Sequence, residues 1–141
     1  MGNRGQALVA QEEARENDTP KAIQSYRDLK VWQVSIELAV ACYNETKAFP
    51  GSETCGLTSQ IRRAGASIAA NIAEGYGRDN AGSYVQFLRV AQGSLKELET
   101  HVIIAGRIGY LERSQEQSLL QQSEQVGKML RALIRGVQRT V

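Results

Sequence analysis

The run YVQFLRVAQGSLKELETHVIIA, residues 84–105, sets Tyr84, Leu88, Ala91, Leu95, Leu98, Val102 and Ala105 at alternating spacings of four and three. Side chains at that spacing share one face of an α-helix, so the stretch is a heptad seam and the chain is built of packed helices. Asp79 or Asn80 is placed to cap its start, and Gly109 to stop it. Phe87, Val90, Ile104 and Ile108 widen the seam along one flank, which gives this helix a second apolar side to cover.

The same period extends in both directions. Upstream, Leu29, Trp32, Ile36, Ala39 and Tyr43 form one stripe, while Val31, Val34, Leu38, Ala41 and Cys42 fall on nearly the opposite side. A helix in a four-helix monomer is covered on one face only, so the second face predicts a subunit interface, with Val31, Val34, Leu38, Phe87 and Ile104 in it. Phe49-Pro50-Gly51 ends this helix. Leu57, Ile61, Ala64, Ile68 and Ile72 mark a second helix near residues 54–74, rich in small residues that permit close approach, with Gly75-Tyr76-Gly77 at its end. Downstream, Ser114-Gln115-Glu116-Gln117 matches a capping box, and Leu119, Ser123, Val126, Leu130, Leu133 and Val137 continue the seam. Short connections and no strand-like alternation give an all-α fold, an antiparallel up-down-up-down four-helix bundle over residues 26–141. Residues 1–25 have little period and read as a mobile polar extension, with a frayed helix near 7–16.

The composition agrees: 141 residues, 42% hydrophobic and 23% charged with two prolines, fit one soluble domain with its own core. No N-terminal apolar run and no stretch of roughly 20 apolar residues is present, so a cytoplasmic location and no membrane partner are expected. The formal charge of +2 is too small to demand a polyanion by itself. Its distribution is more telling. Residues 1–25 carry three cations and four anions, the remainder fourteen and eleven.

Motifs for chemistry are lacking. Gly77 to Gly82 has the spacing of a phosphate-binding loop, but Ser83 stands where lysine is needed and no strand precedes it. A single histidine, His101, and two cysteines, Cys42 and Cys55, are too few for a zinc or carboxylate-bridged metal site, and His101 is placed to pair with Glu97. The cysteines read as reduced, small hydrophobes. Asn71, beside the seam, reads as a register-fixing polar layer between helices or as a ligand contact. No catalytic residue, cofactor or metal is expected, and the chain does not read as an enzyme.

One surface feature points to a partner. Lys128, Arg131, Arg135 and Arg139 line up opposite Val126, Leu130, Leu133 and Val137, and after Glu124 the chain has no acid. Cations near a helix C-terminus are favoured by the macrodipole, so a solvated face explains them too. Repeated around an oligomer, however, they become a large positive field suited to the phosphates of RNA or DNA. Arg62 and Arg63 form a smaller candidate pair.

Four blocks in order, Tyr26-Arg27-Asp28-Leu29-Lys30-Val31-Trp32, Gly56-Leu57-Thr58-Ser59-Gln60-Ile61-Arg62-Arg63-Ala64, Asn71-Ile72-Ala73-Glu74-Gly75-Tyr76-Gly77 and Gln86-Phe87-Leu88 with Gly93-Ser94-Leu95 through Glu97-Leu98-Glu99-Thr100, resemble the bacterial four-helix-bundle proteins encoded in intervening sequences of 23S ribosomal RNA genes. The resemblance spans about residues 26–137. It departs at Ala69, where members often carry proline, which implies a straighter second helix. The resemblance implies a small cytosolic homopentamer with no established biochemical activity. Related bundles that accompany diversity-generating retroelements bind nucleic acid and a reverse transcriptase through a basic surface. No feature of this chain identifies it with that subgroup, and the cation stripe is what carries the expectation of a non-enzymatic oligomer that binds nucleic acid, RNA before DNA, or alternatively of a protein-interaction scaffold.

Overall fold

The computed structural model describes residues 22–140. Of the proposed extension over residues 1–25, residues 1–21 and with them the frayed helix lie outside those residues. Four helices follow one another: α1 (Lys30–Glu45), α2 (Leu57–Tyr76), α3 (Ala81–Arg107) and α4 (Arg113–Gln138). Each packs on its chain neighbours, and α1 closes the square against α4, so α1 and α3 are diagonal, as are α2 and α4. It is the expected antiparallel bundle.

The ends of the helices follow from local hydrogen bonding. Asn80 caps α3, its Oδ1 accepting from the Ser83 amide at 2.8 Å. At the other end Gly109 takes φ +85°, and the amides of Gly109 and Tyr110 donate to the carbonyls of Gly106 (3.2 Å) and Ala105 (2.9 Å). That is the Schellman arrangement, which needs a left-handed residue at the turn and favours glycine there. Helix α4 starts earlier than its Ser114 box suggests. Gln115 Oε1 accepts from the Glu112 amide at 2.8 Å while its Nε2 donates to Glu45 Oε2 at 2.6 Å, so this residue both caps α4 and ties it to the end of α1. The folded part also begins before residue 26. Ile23 packs against the core, and Ser25 Oγ accepts from the Arg27 amide at 3.0 Å to open a 3-10 turn over Tyr26–Asp28.

All seven residues of the α3 seam are buried, as are Ile61, Ala64, Ile68 and Ile72 of α2 and Leu119, Val126, Leu130, Leu133 and Val137 of α4. On α1 the two faces exchange roles. Val31, Leu38 and Cys42 are fully buried in the monomer with Ser35, whereas Ile36 and Tyr43 are 37% and 47% exposed. Val31 and Leu38 therefore do not line a subunit interface. On α2, Gly65 has no side chain, and the helix meets α1 there at Ala39 and Cys42, one residue from each of the two faces.

Asn71 also differs from its expected role. Its Nδ2 donates to the Ser67 carbonyl (2.8 Å) and hydroxyl (3.0 Å) of its own helix, and it is Ser67 that crosses to Ser94 of α3, Oγ to Oγ at 2.8 Å. The polar layer between α2 and α3 is thus a serine pair, with Asn71 holding one member in place.

Candidate nucleic-acid interface

Burial of Val126, Leu130, Leu133 and Val137 on the core side of α4 sends the opposite side to solvent. Lys128, Arg131, Arg135 and Arg139 are all exposed there. The row covers eleven residue steps, or about 16 Å at 1.5 Å per residue. Lys128 Nζ lies 3.7 Å from Glu124 Oε1, with both side chains 68% exposed, a solvated pair that neutralises little. No carboxylate among the described residues forms an ion pair with Arg131 or Arg135.

Arg62 and Arg63 stand elsewhere. They belong to α2, diagonal to α4, so the fold does not bring them to the row. Arg62 is moreover occupied: its Nε donates to Thr46 Oγ1 at 2.9 Å, its Nη2 reaches the Tyr43 carbonyl at 3.5 Å, and its guanidinium lies 4.8 Å from the centre of the Tyr43 ring. Cation and carbonyl meet at the C-terminal end of α1, where the helix dipole favours positive charge. Arg62 is a staple between two helices. Arg63 is exposed.

Of the expected interface residues, Ile104 is 44% exposed. Phe87 is half-buried beneath the Arg78 guanidinium, 4.5 Å from the ring centre, and Val34 is half-buried against the core. Apart from Ile103, 38% exposed on another side of α3, the large apolar side chains that face solvent form two stripes, Ile36, Val40 and Tyr43 on α1 and Val90, Ile104 and Ile108 on α3. Both border α2. Arg62 of α2 covers Tyr43, and on α3 the residues that meet α2, Phe87 against Gly75 and Ser94 against Ser67, lie beside Val90 on the same side of the helix. Val40 is invisible to the spacing argument because it belongs to neither of the two stripes read on α1.

His101 Nε2 sits 3.6 Å from Glu97 Oε1, and the described residues contain no cluster of three or more His, Cys, Asp or Glu able to hold a metal ion. Burial pushes the Cys42 thiol up to about 12, which removes it as a nucleophile near neutral pH. Cys55 is exposed and far along the chain from it. Among the described residues, no helix is long and apolar enough to cross a membrane.

The 23S rRNA-intervening sequence protein family matches residues 27–132, most of the chain and all four helices but for the last residues of α4. The chain belongs to this family. Among solved structures it is similar to a protein of unknown function from the S23 ribosomal protein family of Bacteroides thetaiotaomicron, with a TM-score of 0.67 and 27% identity over 74% of this chain and 97% of that one. No curated protein matches it. The family fold therefore spans the bundle, and Ala69 is buried in an unbroken α2.

Proposed function

We propose that this protein is a non-enzymatic, self-assembling bundle that binds nucleic acid, RNA in particular, through the outer face of α4. The observation that carries the reading is the row Lys128, Arg131, Arg135 and Arg139, exposed over about 16 Å, in which Lys128 meets Glu124 only loosely and Arg131 and Arg135 form no ion pair among the described residues. Phosphates are the ligand that repeats charge at such intervals, and contacts to them position a strand without reading its bases. RNA is put before DNA because the family is named for an intervening sequence of 23S rRNA, a name that gives where the protein is encoded and not what it binds.

Assembly rests on the two apolar stripes. They are not the same patch, one lying on α1 and the other on α3, so contact between them in neighbouring subunits is heterologous and generates a ring when the rotation closes. A pentamer is the ring implied by the resemblance to the ribosomal intervening-sequence bundles. A ring multiplies the α4 row and with it the local field. The same stripes support a second reading, in which they receive a different protein and the cations only keep the surface solvated.

Titration of a labelled RNA at low and rising salt tests the proposal. Each phosphate neutralised contributes about 0.7 to 0.9 to the slope of log affinity against log salt, so Arg131→Gln with Arg135→Gln should lower that slope by roughly 1.4 to 1.8. Both positions are exposed, and the melting midpoint should hold. Absence of binding by the wild-type protein, or an unchanged slope in the double variant, would leave the scaffold reading in its place.

A further inference from the structure

We propose that Arg89 and Lys96 of α3 form a second cation row beside that of α4, and that the two rows together fit the backbones of a nucleic-acid duplex. This rests on the nucleic-acid reading of α4. The placement follows from two contacts between α3 and α4. A Cβ at Gly127 of α4 would meet Leu95 of α3 at 3.3 Å, and Gly106 of α3 abuts Glu116 of α4. The eleven steps from Leu95 to Gly106 match the eleven from Gly127 back to Glu116, so the two helices run antiparallel in constant register.

In that register Arg89, six residues before Leu95, lies level with Leu133, midway between Arg131 and Arg135. Lys96 lies level with Val126, next to Lys128. Their direction is fixed by the opposite side of α3. Phe87 and Ser94 are the residues that meet α2, and Arg89 and Lys96 each follow one of them by two positions, which is about 200° around the helix. Both are exposed, so they point outward on the α4 half of α3.

Arg89, like Arg131 and Arg135, forms no ion pair among the described residues, while Lys96 Nζ meets Glu99 Oε1 at 3.0 Å. Three arginines without a carboxylate partner thus stand at one level on two adjacent helices, with paired lysines beside them. Such a cluster repels itself in the absence of an anion, and phosphate oxygens relieve it.

The form of the anion follows from geometry and from what the face lacks. Packed helix axes lie about 8 to 10 Å apart, so the rows are two parallel lines on a rigid support. Proteins that hold single strands stack the bases on aromatic side chains. Helix α4 has no aromatic residue, and the one large exposed aromatic side chain among the described residues, Tyr43, borders α2 instead. A duplex offers a charge about every 1.7 Å of axis, on two backbones held at fixed separation, and asks for no stacking. A flexible single strand gains little from the second row.

Fluorescence anisotropy with a 20-base-pair RNA duplex, the matching DNA duplex and either strand alone, across a salt series, separates the claims. The full-length protein should bind duplex more tightly than single strand of equal length, and Arg89→Gln should lower the duplex salt slope by about 0.9 with no change in melting midpoint. Arg89→Lys, which keeps the charge, should restore the slope, and Arg107→Gln at the far end of α3 should leave it unchanged. Comparison of the two duplexes distinguishes RNA from DNA as the source of the phosphates. If Arg131→Gln weakens binding while Arg89→Gln has no effect, the second row is refuted and the α4 reading survives. Single strands bound as tightly as duplexes, or polyglutamate competing as well as duplex at equal charge, would refute the duplex. Failure of the wild-type protein to bind any nucleic acid would overturn both readings together.

Discussion

Arg62 Nε donates to Thr46 Oγ1 at 2.9 Å, joining α2 to the residue that closes α1. Thr46 in turn donates to the Cys42 carbonyl at 2.7 Å and is buried, so the guanidinium reaches an end of α1 that water does not freely enter. Replacing Arg62 with alanine removes this bond, the 3.5 Å contact to the Tyr43 carbonyl and the cation–π contact with the Tyr43 ring. A hydrogen bond to a charged group contributes about 1.5 to 3 kcal/mol, and half-exposure reduces that, so Arg62→Ala should cost about 1 to 2 kcal/mol in urea unfolding. Nucleic-acid affinity should not follow it, because the residue is spent on structure.

Cys42 gives the protein a dependence on alkaline pH. Burial raises its thiol from an ordinary 9.0 to about 12. Above pH 9 the unfolded chain loses this proton while the folded chain keeps it, so the unfolded state is favoured as pH rises. The contribution is fully present below pH 9 and is lost progressively up to about 12, at no more than ~1.4 kcal/mol per pH unit. Thermal melts of wild type and Cys42→Ala between pH 8 and 11 should converge as pH increases. A maleimide at pH 7.5 should label Cys55, which is exposed, and leave Cys42 untouched until the protein unfolds.

The α3 seam is legible in the sequence because each of its positions is apolar or aromatic and the alternation of four and three runs unbroken through seven residues. The α1 region offers two apolar faces of five residues each, so counting hydrophobic residues does not choose between them. The true core face includes Ser35, which a polarity count penalises. Its hydroxyl donates to the Val31 carbonyl at 2.7 Å, so its burial leaves no unsatisfied group. Ser123 does the same on α4, donating to the Leu119 carbonyl at 2.8 Å. Which face of α1 turns inward depends on how α2 and α4 pack against it, a relation that has no local signature. The α4 row is legible for the converse reason, since four cations on one stripe define their own face. Arg89 is not, because a lone arginine in a helix carries no direction until the register with α4 is known.

Gly75 fixes how closely α2 and α3 meet near their shared turn. A Cβ there would lie 2.8 Å from Phe87 Cβ, 3.1 Å from Tyr84 Cδ1 and 3.2 Å from the Tyr84 carbonyl oxygen. The last of these is backbone, so the added methyl cannot be accommodated by a side-chain rotation alone. Overpacking of this kind costs about 1 to 3 kcal/mol, against which alanine's better helix propensity recovers up to about 1 kcal/mol. Gly75→Ala should therefore destabilise, whereas Gly93→Ala on α3, where nothing lies within 4 Å of the new atom, should stabilise or leave the melting temperature unchanged. Chemical denaturation of the pair reads the contrast directly.

The exchange of faces on α1 separates folding from assembly. Leu38 is fully buried, so Leu38→Glu places a carboxylate in the bundle core and should abolish the folded helical signal in circular dichroism. Val40 is 53% exposed on the outer surface, two positions away, and Val40→Glu should keep that signal because it adds a charge where solvent already reaches. If the α1 stripe meets the α3 stripe of a neighbouring subunit, the carboxylate at position 40 becomes buried only in the oligomer. Light scattering should then give a smaller species for Val40→Glu, and also for Ile108→Glu on the opposing stripe, with helicity retained in both. Combining the two variants should add little further dissociation, since each alone breaks the same heterologous contact. An unchanged mass for both would show that these stripes do not join subunits and would return them to the scaffold reading.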